Sequence, residues 1–96
     1  MKCIVIIYNA AIEDRINEAL GGMIEKFTLF EKVLGKGKNS QPHMGNSVWP
    51  TTNKLIFSVL NNENDIDIIK ERLKKVKDEY INEGLKLLVF PVEELI

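Results

Sequence analysis

The sequence predicts an α+β fold of ferredoxin-like βαββαβ order: an antiparallel four-stranded sheet with two helices on one face. Three observations predict it. Four short runs rich in β-formers, at 2–8, 27–34, 54–60 and 85–90, recur along the 96 residues. Apolar residues at helical spacing follow the first and the third run. Glycine- and asparagine-rich breaks (Gly21-Gly22, Asn61-Asn62 and Gly84) stand where helices and strands must hand over.

Each element has its own justification. In the first run, Cys3, Val5 and Ile7 alternate with Ile4, Ile6 and Tyr8, so both faces are apolar and the strand is central. Cys3 reads as a small apolar core residue. Ile12, Ile16, Ala19, Leu20 and Met23 then form the stripe of an amphipathic helix. Glu13 and Asp14 suit its positive end, and Gly21-Gly22 stops it. The second strand, FTLFEKVL, runs into a long irregular connection at about 36–53. KLIFSVL is the third strand, again apolar on both faces. Asparagines and acidic residues at 61–65 cap the second helix, whose stripe is Ile66, Ile69, Leu73, Val76 and Tyr80. Its other face is charged and solvated. LKLLVF is the fourth strand, and Pro91 with the acidic tail Glu93-Glu94 ends regular pairing or sets an edge.

Composition narrows the function. The length suits one domain over 1–96. A chain this short buries only about 60–70% of its unfolded surface, so association with other copies would help it. With no third helix, a second copy of the chain is the expected cover for the far face of the sheet. Thirteen basic and fourteen acidic residues give a net charge of −1, which provides no general attraction for nucleic acid or anionic lipid. RNA-recognition modules share this element order, but their third strand displays a glycine and stacking rings. Here Phe57 stands alone, so no nucleic-acid role is expected. One Cys excludes an internal disulfide, and no signal peptide or apolar span of ~20 residues is present. The expected location is cytoplasmic.

The connection between strands two and three collects the rare residues. Residues 35–53 hold three of the six glycines, two of the three prolines, the only His and the only Trp. Gly35-Lys36-Gly37-Lys38 fits neither a Walker A loop nor a dinucleotide fingerprint, because the remaining residues of each motif are missing. Its glycines let backbone N–H groups approach an anion, and Lys36 and Lys38 add charge. The alternative is a solvated hairpin end. His43 offers one metal or ligand contact, or simply packs within the loop. Trp49 either packs under the loop or serves as an aromatic anchor for a partner, with Asn53 at the anchored return. One His and scattered carboxylates assemble no nucleophile–base pair, so an enzyme is not expected.

Taken together, the chain resembles the P-II nitrogen-regulatory family of signalling proteins. The resemblance rests on Glu18-Ala19-Leu20, Gly22-Met23, Phe27-Thr28, Glu31, and Val33-Leu34-Gly35-Lys36-Gly37-Lys38, which is similar to the family's Val-x-Gly-x-Gly-Arg entry to its T-loop. Lys54 opening strand three also fits. Strand two carries one residue more between Thr28 and Gly35 than the usual pattern. The resemblance implies a homotrimer with inward-facing sheets, adenine nucleotide in the clefts between subunits, and a loop that engages a regulated membrane transporter or enzyme. It places Thr28, Gly35, Gly37 and Lys38 near such a cleft. Two family features are missing: the Gly-Asp-Gly-Lys turn before strand four, and a tyrosine in the loop. Two alternatives stay open. One is a trimeric metal-ion-binding protein of the ion-tolerance type using His43; the other is a dimeric regulatory module of the ACT type.

Overall fold

The computed structural model describes residues 1–36, 44–45 and 52–96. Its elements are β1 (Lys2–Asn9), a 3-10 turn (Ala10–Ile12), α1 (Glu13–Leu20), β2 (Thr28–Val33), β3 (Asn53–Leu60), α2 (Asn64–Glu79) and β4 (Leu85–Pro91). The four strands form one sheet in the order β2-β3-β1-β4. All three pairings are antiparallel, so this is the ferredoxin-like arrangement.

Strand β1 is central because its two faces are both apolar. Ile4, Ile6 and Tyr8 point to the helix side and join Ile16, Leu20, Ile56, Ile69, Leu73 and Val76 in the buried core. Ser58 is the polar member of that face. Its hydroxyl donates to the Lys26 carbonyl at 2.6 Å, which satisfies it and fastens the approach to β2. The helices reach the sheet through the stripes that their spacing predicts, and Arg15 clamps α1 to α2 through two hydrogen bonds to Glu79, at 2.7 and 2.8 Å.

Local chemistry sets the element ends. Gly21 closes α1 in the left-handed conformation (φ 55°), with its N–H donating to the Asn17 carbonyl. At the start of α2 the cap comes from Asn62, whose Oδ1 accepts from the Asn64 N–H at 3.0 Å; Glu63, the boundary residue itself, makes no side-chain cap. Pro91 remains in β4, opposite Lys2, because β4 is an edge strand and needs no second ladder bond there. The buried Asn9 joins the end of β1 to the turn before β4. Its Nδ2 donates to Glu83, its Oδ1 accepts from the Ala11 N–H, and its own N–H reaches the Gly84 carbonyl.

No described helix lies on the sheet's other face. Cys3 and Val5 are buried there between flanking strands, with Val59 and Phe90 opposite Cys3, and Phe57 and Leu88 opposite Val5. Burial pushes the Cys3 thiol pKa up. The residues around this pair are not covered. Phe30, Phe57, Leu88 and Phe90 retain 50%, 42%, 41% and 45% of their exposure. An apolar sheet face bounded by three phenylalanines is the two-sided pattern of the sequence made visible.

Candidate functional site

The long connection leaves β2 through a β-bulge. Phe30 pairs with Leu55 and Val33 pairs with Asn53, so Glu31 and Lys32 together stand opposite Lys54. Lys32 takes the left-handed conformation (φ 56°), the one positive φ at a non-glycine among the described residues. The bulge therefore places two residues of β2 against one of β3. Without the bulge, one added residue would turn Val33 and everything beyond it to the opposite face. The bulge takes up one residue and keeps Val33 in phase with Phe30.

Past the bulge, Gly35 lies against Asn53. A Cβ built on Gly35 would stand 2.6 Å from the Asn53 Nδ2, closer than carbon and nitrogen tolerate, so any larger residue would have to displace the end of the Asn53 side chain. The Asn53 Oδ1 is buried and has no hydrogen-bond partner among the described residues. An unpaired buried amide oxygen costs free energy and accepts a donor readily. Gly45 returns the connection to the same place: its φ is 68°, and a Cβ there would lie 3.0 Å from Thr52 Cγ2. Thr52 in turn accepts the Ala10 N–H through its carbonyl at 3.0 Å. Gly35, Gly45, Thr52 and Asn53 thus make a tight base.

Beside this base sits a charged cluster. Lys54 Nζ is 2.6 Å from Glu13 Oε2 and 3.7 Å from Glu31 Oε1. The Glu13 hydrogen bond is the main reason that Lys54 is held above the usual lysine range. The Tyr8 hydroxyl is 3.5 Å from the same Glu13 oxygen. Its burial and the nearby carboxylate push the phenol up to about 12, so at neutral pH it remains a donor.

The residues named from the sequence are distributed as follows. Gly35 and Asn53 come together, and exposed Lys36 is next to them. Thr28 is exposed and opposite Phe57, four residues along β3 from Asn53 and so about 13 Å away along the strand. One chain does not bring Thr28 and Gly35 into a single site. Gly37, Lys38, His43 and Trp49 lie outside the described residues. Among the described residues, no three His, Cys, Asp or Glu side chains are grouped to hold a metal. No described helix is long and apolar enough to cross a membrane. The turn before β4, where the family's second phosphate-binding turn would stand, is held internally by Asn9 and by Lys77, whose Nζ donates to the Glu83 carbonyl at 2.7 Å.

Sequence reasoning missed the Tyr8–Glu13–Lys54 cluster. Tyr8 shares the alternation of Ile4 and Ile6, and the one available signal was a phenol placed where an aliphatic side chain would serve. Asn53 was read as the return of a partner-binding arm, and its side chain lies against Gly35.

No protein-family model matches the chain, and no curated protein matches it in sequence. Solved structures do match in shape. CPII, a nitrogen-regulatory PII-like protein from Thiomonas intermedia K12 solved with ADP, AMP and bicarbonate, is similar with a TM-score of 0.72. It is 15% identical, over 93% of this chain and 82% of that one. A PII-like signalling protein from Thermus thermophilus is similar with a TM-score of 0.54, at 16% identity over 93% of this chain and 83% of that one. The bulged edge strand, the long connection it feeds and the order β2-β3-β1-β4 therefore belong to a chain with the fold of the PII-like proteins.

Proposed function

We propose that this chain is a divergent PII-like regulatory protein that senses an adenine nucleotide and signals through the connection at 36–53. The observation that carries the reading is the uncovered apolar sheet face, in a fold shared with nucleotide-bound PII-like structures. Three copies packing these faces inward would cover Phe30, Phe57, Leu88 and Phe90. They would also solve the separation of Thr28 from Gly35, because Thr28 of one copy can meet the Gly35–Lys38 entry of the next. The nucleotide phosphates then lie against the Gly35 and Gly37 backbone with Lys36 and Lys38 supplying charge. His43 and Trp49 belong to the arm that meets the regulated transporter or enzyme.

The chain's role is regulatory rather than catalytic, and its place is the cytoplasm. Light scattering on the purified protein tests the assembly. A mass near three times 11.0 kDa supports the reading, and a clean monomer overturns it. The alternative reading, a metal-ion-binding protein using His43, turns on a residue outside the described ones; metal analysis of the purified protein, with and without His43→Ala, separates the two.

A further inference from the structure

The sheet's helix-covered side holds a cavity of about 310 Å³ between α1, the 21–27 connection and β2. It lies across the sheet from the apolar face, so packing copies on that face leaves it open. Its volume is at the lower end of small-molecule sites, which run from roughly 300 to 1,000 Å³. Leu20, Phe27 and Leu29 are among its apolar walls, and its polar groups are Tyr8, Glu13 and Asn17. Phe27 and Leu29 stay 55% and 37% exposed, an apolar rim that no described residue covers.

The charges at the polar end decide the ligand class. The ionisable groups of the lining are the Glu13 carboxylate and the Tyr8 phenol, and Lys54, which pairs with Glu13 at 2.6 Å and lies 3.7 Å from Glu31, is not part of that lining. Lys54 is already engaged by two carboxylates and is not offered to an anion. Both Lys54 and Tyr8 approach Glu13 at Oε2, so its other oxygen is the acceptor available to a ligand. We propose that this cavity is a second small-molecule site, taking a compact apolar molecule with one ammonium group. The ammonium donates to Glu13 Oε1 and to the Asn17 side-chain carbonyl, while the apolar body fills the space between Leu20, Phe27 and Leu29.

The site does not depend on nucleotide binding at the Gly35–Lys38 entry, and the two are tested apart. Amide NMR spectra of the full chain are recorded during titration with 2-phenylethylammonium, with 3-phenylpropanoate and 2-phenylethanol as anionic and neutral counterparts. The expected result is a saturable shift confined to residues around Tyr8, Asn17, Gly22 and Leu29. Binding should be at least tenfold weaker for both counterparts. Glu13→Gln should weaken the ammonium tenfold or more. Leu29→Trp, which fills the cavity from an exposed strand position, should abolish binding while the rest of the spectrum is retained. No localised shifts, equal binding of the carboxylate, or unchanged binding in Leu29→Trp would overturn the proposal.

Discussion

Gly35 and Asn53 approach so closely that a Cβ on Gly35 would sit 2.6 Å from the Asn53 amide nitrogen. This contact lies beside the register pair Val33 with Asn53, where the long connection leaves β2. Gly35→Ala forces the Asn53 side chain away and should cost about 1–2 kcal/mol, the range for overpacking a tight site. Asn53→Ala removes the obstacle together with a buried oxygen that has no partner among the described residues. The double variant should therefore recover about 1 kcal/mol or more relative to the sum of the singles. Urea unfolding of the four proteins measures this coupling, and strict additivity would mean that the two residues do not hold the base together.

Lys32 gives a prediction of opposite sign. A left-handed conformation costs a side-chain-bearing residue about 1 kcal/mol that glycine does not pay. Lys32→Gly should leave stability unchanged or raise it by up to about 1 kcal/mol, despite the extra freedom gained by the unfolded chain. Lys32→Val, branched and ill-suited to positive φ, should lower it. Loss of stability in Lys32→Gly equal to that in Lys32→Val would mean that the bulge is not held as described.

These two residues show what was legible in the sequence. The element order, the Gly21 helix stop and the two-sided strands follow from alternation, helical spacing and glycine chemistry, all of which are local. Strand two's extra residue was visible as a count, but the bulge at Lys32 depends on pairing with β3. The same limit hid the cluster around Glu13. Tyr8, Glu13, Glu31 and Lys54 are scattered over 46 positions of the chain, and only the register of β1 against β3 brings Tyr8 opposite Lys54. Gly35 was picked out for its backbone freedom, and the structure adds a close approach to the Asn53 side chain. For Gly37, Lys38, His43 and Trp49 the sequence remains the only guide, because they fall outside the described residues.

Stability should depend on alkaline pH through this cluster. The Tyr8 phenol titrates at about 12 in the folded chain against 10.0 as the ordinary value. The folded state therefore binds the proton more tightly, and its contribution is complete below pH 10 and lost between pH 10 and 12. Lys54, also raised, acts in the same direction. Tyr8→Phe should flatten the decline in unfolding free energy between pH 10 and 12. At the acid end the sign reverses: the Arg15 hydrogen bonds hold Glu79 below its usual range, so that contribution is lost as pH falls. Identical alkaline profiles for the wild type and Tyr8→Phe would contradict the phenol's role.

The uncovered sheet face predicts a change of mass on substitution. Phe57 and Phe90 lie on that face in strands flanking β1. Phe57→Glu places a charge at the centre of the proposed contact and should shift the protein toward monomer while leaving its helical circular dichroism intact. Lys70→Glu, on the solvated face of α2, is the matched control and should leave the mass unchanged. A mass unaffected by Phe57→Glu would remove the sheet face from the interface.

The central claim, that the Gly35–Lys38 entry receives an adenine nucleotide, is tested most directly by isothermal titration of ADP into the purified protein. The expected result is saturable heat with one ADP per chain, lost or strongly weakened in Gly37→Ala. No heat from the wild-type protein, or equal heat from Gly37→Ala, would contradict it.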